Sequence, residues 1–543
     1  MSNEHSGGPN AVVIDGETLS PTDVERVARE DAPVRVPERA REAVRESRDR
    51  VLEVLEADEA VYGVNTGFGE LVNERIGRGD LELLQENLVR SHAVGVGREL
   101  EREEVRALLV TRLNALVKGY SGVRETVIDH LVELLNAGVH PVVPSRGSLG
   151  ASGDLAPLAH AALVLLGEGE ACVANGDDGD RLPGEEALAR AGLEPLSLEP
   201  KEGLALINGT QLTVGLAALF VRDAERLLDA ADVAGALTIE VAMGSTVPAD
   251  PVVSAVRPHP GQAISARNVR RLTADSSIVA SHRNCDRVQD AYSLRCLPQV
   301  HGAAREAVAH LRSAVEVELN SATDNPLVVP AEDVDPRATV TDRAAVLSAG
   351  NFHGEPLSLK LDYATAALTE LAAIGERRVD RILNPNVQES HLPPFLAGRS
   401  GLESGAMIGQ YTAAALVNEL RSEGRPATDN ATVSGGQEDH VSMSATSALT
   451  ARRVVDRATT VTAIELLCAS EAAEYVDDDL EHGVGTGAAY DAVRTVVDPL
   501  EGDRPLSADV HALADYVGSG ALRDRVDEAL PEGLVSNDDA GAA

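Results

Sequence analysis

The chain has 543 residues, 43% of them hydrophobic, which is enough for a large core and excludes a disordered protein. Its 87 acidic residues against 48 basic ones give a net charge of −39, which repels nucleic acid and anionic membrane, so neither is an expected partner. No apolar run reaches membrane-spanning length, and the first residues lack the basic and apolar regions of a signal peptide, so the cytoplasm is the expected location.

In chain order, residues 11–14 read as a short strand. Over 105–117, Val105, Leu108, Leu109, Leu113 and Leu116 recur at helical spacing on one face. A hairpin is expected from Glu170 to Leu182, turning on Asn175-Gly-Asp-Asp-Gly. Helical patterning then takes over, at 210–230, 302–319, 355–383, 404–421 and 442–476, the last rich in Ala. Helices this long and apolar bury most of their faces, so a mainly α fold is expected, with a long central helix bundle and a smaller N-terminal region. The expected division is 10–210 for the N-terminal region, 211–525 for the bundle and oligomerisation core, and 530–543 for a flexible tail. Only Lys118, Lys201 and Lys360 among the 48 basic residues are lysines, a carboxylate-rich, Lys-poor composition that resembles proteins of salt-loving organisms. The four cysteines, Cys172, Cys285, Cys296 and Cys468, show neither metal-ligand clustering nor a disulfide framework and read as reduced thiols, with Cys285 or Cys296 as thiols near an active site the alternative.

Residues 145–160 form the most informative segment, a glycine-punctuated turn entering a helix. Asp154 is placed to cap it and Pro157 is tolerable in its first turn. The small residues Ala151, Ser152 and Gly153 also permit a compressed turn, in which the Gly153 amide nitrogen approaches the Ala151 carbonyl carbon. Cyclisation with dehydration of Ser152 gives a methylidene-imidazolone, a strong electrophile. Six further blocks stand apart from it: a Gly-rich loop at 62–69 beginning with Tyr62, a block at 88–97 with His92 on a helix, and 202–211, where Asn208 reads as an N-cap for the next helix. Then come 284–302 with Gln289, Tyr292 and Arg295, 348–356 with Phe352, and Gly436-Gln-Glu-Asp-His-Val-Ser-Met443. Arg295 has the planar donor fork suited to a carboxylate. Asp439 and His440 have no third or fourth ligand at suitable spacing, so no metal is expected.

Together the tripeptide and these blocks resemble the aromatic amino acid ammonia-lyase family, from about residue 10 to about residue 520. The resemblance implies that Ala151-Ser152-Gly153 form the electrophile, with no external cofactor, and that the 62–69 loop is a lid bringing Tyr62 to the substrate as a proton acceptor. A phenol titrates near 10 unperturbed, so its pKa would have to fall for that role. The resemblance also implies that His92 holds the substrate ring, favouring imidazole or phenol over phenyl. Asn208, Gln289, Tyr292 and Arg295 lie near the electrophile and the amino-acid end, and Phe352 walls the site. Glu438 stands where phenylalanine- and tyrosine-using relatives usually carry an amide, which points to L-histidine as the small-molecule substrate and trans-urocanate as product. Tyr62 or Glu438 takes the β-proton, and the substrate's amine or its ring meets the electrophile. A homotetramer with shared sites is implied as well. The rival expectations are a tyrosine ammonia-lyase or aminomutase and, from another class, a catalytically inactive helical scaffold.

Overall fold

A computed structural model describes residues 10–57, 61, 63–64, 66, 76–173, 179–283 and 287–537. The described residues form twenty α-helices and four small sheets of two or three strands, the mainly α fold expected. None of these helices is long and apolar enough to cross a membrane.

The helix Glu355–Leu383 has the expected ends, and Met407–Ser422 and Ser444–Ala473 nearly so. Two others outrun the apolar pattern. Leu297–Leu319 starts earlier than expected because Pro298 sits in its first turn, where the missing N–H costs nothing. Gln211–Val241 continues past 230 because Asp232 and Glu240, which interrupt the pattern, are fully buried. In Arg102–Val117 every residue from Glu104 onward is buried. Its polar residues, including Arg106, Arg112 and Asn114, therefore pack inside the protein with the apolar face.

The strand at Val12–Val13 pairs in parallel with Val34–Arg35. The hairpin strands Glu170–Val173 and Asp180–Pro183 pair antiparallel, and Val139–Pro141 adds a third strand to them. Val96–Glu99 pairs with Pro144–Arg146, and Leu327–Pro330 with Ala344–Leu347.

The chain divides into two compact units that are discontinuous in sequence. The first comprises Met1–Leu219, Arg312–Asp362 and Arg425–Leu449, so two later segments join the N-terminal region. The second comprises Phe220–Leu311, Tyr363–Gly424 and Thr450–Ala543. Its core includes a buried ionic network in which Arg305 pairs with Asp229 at 2.9 Å and Asp232 at 2.7 Å, and Arg378 with Glu465 at 2.5 Å. His301 bridges them, 2.8 Å from Asp232 and 3.2 Å from Arg378. The tail expected from residue 530 is packed as far as Val535: Leu530, Leu534 and Val535 are buried, and Val535 N donates to Asn268 Oδ1 at 2.8 Å.

Candidate active site

In the first unit the Ala151-Ser152-Gly153 loop connects the strand Pro144–Arg146 to the helix Leu155–Leu165. Gly150 and Gly153 take positive φ, +68° and +76°. Space also demands glycine at 153, where a Cβ would lie 2.1 Å from the Gly209 carbonyl oxygen. Asp154 N donates to that same oxygen at 2.7 Å. The Ser148 hydroxyl accepts from Gly150 N at 3.2 Å and lies 3.2 Å from Gly153 O and 3.0 Å from Asp154 Oδ1, folding the turn back on itself. From the other side, Met443 N donates to Leu149 O at 2.8 Å and Ser442 Oγ to Gly150 O at 3.0 Å.

Asp154 stands at the cap position of its helix, but its side chain makes no capping bond. The carboxylate accepts from Thr213 N at 2.8 Å, with Thr213 Oγ1 at 3.1 Å and Ser148 Oγ at 3.0 Å. Complete burial pushes its pKa up to about 6 against the lowering effect of those hydrogen bonds. It therefore ties the loop to the helix Gln211–Val241 instead of capping its own.

Asn208 likewise ends the helix Glu202–Ile207 and does not start the next one. Its Nδ2 donates to Ser152 O at 3.2 Å, while its Oδ1 is buried with no partner among the described residues. Beneath it lies a buried polar framework. Arg112 Nη1 donates to Asn208 O at 2.8 Å and Gln211 Oε1 at 2.6 Å, and Gln211 Nε2 donates to Thr323 Oγ1 at 2.6 Å. Burial lowers the Arg112 pKa to about 10. Lys201, fully buried, pairs with Asp324 at 2.6 Å.

Glu438 brings Oε1 to 3.4 Å from Ser152 Oγ, near enough for a weak hydrogen bond from the hydroxyl. A backbone bond from Val433 N to Glu438 O at 3.0 Å fixes its turn. His92 closes the helix Leu81–His92 with Nδ1 2.8 Å from Leu88 O, so an Nδ1–H tautomer leaves Nε2 as an acceptor. The strand Val96–Glu99 that follows pairs with the strand entering the Ala-Ser-Gly loop. Phe352 is half-buried in the turn before Gly354, where a Cβ would lie 2.2 Å from Ser444 Oγ. The first unit thus gathers Ser152, Asn208 and Glu438, with His92 and Phe352 on elements adjoining the loop's supports. Tyr62 lies outside the described residues, as does Cys285.

The second unit holds Gln289, Tyr292 and Arg295. Tyr292 opens the short helix Tyr292–Arg295, is 71% exposed, and has the Arg295 guanidinium 4.8 Å from its ring centroid. Arg295 Nε is buried without a partner among the described residues. Gln289 and Arg295 line a cavity of about 640 Å³ together with Arg270, His282, Arg283 and Arg287. Asp250 and Asp290 line it too, and Arg287 is paired with Asp290 at 3.2 Å and Glu389 at 2.6 Å, but the arginines outnumber the carboxylates, an excess that suits an anion such as a carboxylate. Cys296 is half-buried, and Cys468 is buried with its thiol pKa pushed up by desolvation.

A family model described as aromatic amino acid lyase matches residues 19–495. The chain belongs to the aromatic amino acid lyase family. A probable histidine ammonia-lyase of Halobacterium salinarum is 64% identical over 524 residues, covering 96% of this chain and 99% of the relative. The histidine ammonia-lyase of Myxococcus xanthus is 50% identical over 512 residues, 94% of this chain and 97% of its own. Among solved structures, histidine ammonia-lyase from Trypanosoma cruzi matches with TM-score 0.86 and 37% identity, covering 96% of each chain. Tyrosine aminomutase from Streptomyces globisporus matches with TM-score 0.89, also 37% identical, covering 97% of this chain and all of that one.

Several supports of this lyase loop escaped the sequence reading: Ser148, Thr213, Ser442, Ser444, Arg112 and the Lys201–Asp324 pair. Only Lys201 left a signal, as one of three lysines in a chain with 48 basic residues. The others are common residue types whose partners lie far along the chain.

Proposed function

We propose that this lyase eliminates ammonia from L-histidine to give trans-urocanate, with a methylidene-imidazolone formed autocatalytically from Ala151-Ser152-Gly153 and no external cofactor. The observation that carries the reading is the pinched loop: two positive-φ glycines, no room for a Cβ at 153, and Asn208 Nδ2 on the Ser152 carbonyl. Those residues fit the cyclised group, since position 153 tolerates only glycine and the loop is held at Leu149, Gly150 and Gly153 by hydrogen bonds. When formed, the group supplies an electrophile that no ordinary side chain offers.

The chain's own residues do the rest. Arg295 clamps the substrate carboxylate through its fork of donors, with Gln289 beside it and Tyr292 on the electrophile's side. Asn208 Oδ1, buried and without a partner among the described residues, accepts from the substrate ammonium. His92 and Glu438 orient the imidazole, the Glu438 carboxylate accepting its N–H, and Phe352 closes the pocket against water. Tyr62 takes the β-proton, with Glu438 the alternative acceptor. The protein works as a homotetramer with sites shared between subunits, built on the long helices beyond residue 211. Exposed Tyr363, Ile408 and Tyr411 support that assembly, because apolar side chains of this size in water favour a partner. The three described cysteines are free, in keeping with a cytoplasmic location.

Urocanate absorbance with L-histidine, set against coumarate absorbance with L-tyrosine, tests the substrate assignment. Turnover of histidine alone is expected; turnover of tyrosine alone would transfer the site to the tyrosine-using branch. A scattering mass of four chains is expected in high salt, and a mass of one chain would remove the shared site.

A further inference from the structure

Residues 353–355 and 440 lie 85 or more positions apart in the chain, which is why no ligand spacing shows in the sequence. In the first unit they converge. One ligating atom each from His353, Glu355 and His440 lie within 4.8 Å of one another. The two imidazoles stack with centroids 5.6 Å apart and planes 6° from parallel. A second observation is independent of that clustering. Glu355 Oε2 is buried and has no hydrogen-bond partner among the described residues, a costly state for a carboxylate oxygen.

We propose that His353, Glu355 and His440 form a binding site for a divalent transition-metal ion of the zinc class. Two imidazoles and one carboxylate are a ligand set that such ions favour, with water completing a tetrahedron. Ligand atoms around a tetrahedral zinc lie roughly 3.3 Å apart, so the three groups must contract by about 1.5 Å. His440 is exposed on an irregular segment and can supply that movement by rotamer change. The ion neutralises the stranded Glu355 oxygen.

Its place in the fold gives the ion a positioning role. Gly354, between two of the ligands, packs against Ser444. Ser442, two residues after the third, holds the Gly150 carbonyl of the electrophile loop, and Glu438 lies two residues before it. An ion here ties the Glu438 segment to the start of the helix Glu355–Leu383 without touching Ser152 chemistry. The proposal does not depend on the identity of the substrate.

The test is calorimetric titration of the full-length, chelator-stripped protein with zinc in high-salt buffer, without histidine, which itself chelates. Cobalt is then added to read geometry from its visible spectrum. One equivalent of zinc per chain is expected. The affinity should fall at least tenfold in each of His353→Ala, His440→Ala and Glu355→Gln, with circular dichroism confirming that each variant folds, and cobalt should give the intense bands of a tetrahedral nitrogen–oxygen site. Absence of a stoichiometric zinc equivalent in the wild type, or an undiminished one in the His353→Ala/His440→Ala double variant, would overturn the site.

Discussion

The Ala151-Ser152-Gly153 loop and the Gln289–Arg295 segment are built on opposite plans. The loop is over-determined: Ser148, Asn208, Gly209, Ser442 and Met443 each hold it by a hydrogen bond, and beneath it lies a buried polar framework. The Gln289–Arg295 segment is open, with an exposed Tyr292, an Arg295 Nε that has no partner among the described residues, and a cavity whose lining arginines outnumber its carboxylates. The difference teaches where each task is paid for in structure. Forming a strained electrophile from backbone needs atoms forced together before any substrate arrives. Clamping a carboxylate needs only a charged fork left free to receive it.

If that contrast holds, substitutions in the loop should damage folding or maturation, and those in the open segment should damage binding alone. Gly153→Ala is the most severe. Its Cβ would meet the Gly209 carbonyl, so the loop must shift; intact mass should then show no loss of two waters and turnover should vanish. Normal maturation in that variant would show that the loop is not pinched. Next is Lys201→Met, which leaves Asp324 buried without its cation. It should cost about 3–5 kcal/mol by denaturant unfolding, and a loss under about 1 kcal/mol would mean the framework is not rigid.

Asp154 gives a pH test of intermediate size. Its folded pKa, about 6, lies above the ordinary 3.8, so its contribution to stability is full below about 3.8 and is lost as pH rises through about 6. Asp154→Asn keeps an acceptor for Thr213 N but has no proton to lose. The melting temperature of the variant should therefore fall less than that of the wild type between pH 4 and 7, by an amount on the order of 2–3 kcal/mol in stability. Parallel profiles would mean the carboxyl is not desolvated. The smallest effect on the fold belongs to the open segment. Arg295→Lys should leave stability within about 0.5 kcal/mol and two-water mass loss intact, while KM for histidine rises roughly tenfold to a hundredfold. Impaired maturation there would erase the contrast.

The same contrast explains what the sequence made legible. Long helices such as Glu355–Leu383 announce themselves because apolar residues repeat with the helical period. The tripeptide and the Arg295 segment are legible because unusual small or charged residues cluster locally. The loop's supports are not. Arg112 sits in a helix whose polar side looks solvated, and its partners Asn208 and Gln211 are almost a hundred residues away. Asp154 and Asn208 occupy cap positions by local rule, yet tertiary acceptors and donors claim their side chains. His440 showed no companion ligands because His353 and Glu355 reach it only through the fold.

The central claim is that Ser152 is consumed to make the electrophile that deaminates histidine. Intact mass and urocanate production, measured together on the wild type and on Ser152→Ala, test it most directly. A wild type lighter by two waters that makes urocanate is predicted, beside a folded Ser152→Ala variant at full mass that makes none. Near-normal urocanate production by Ser152→Ala, or an active wild type at full mass, would contradict it.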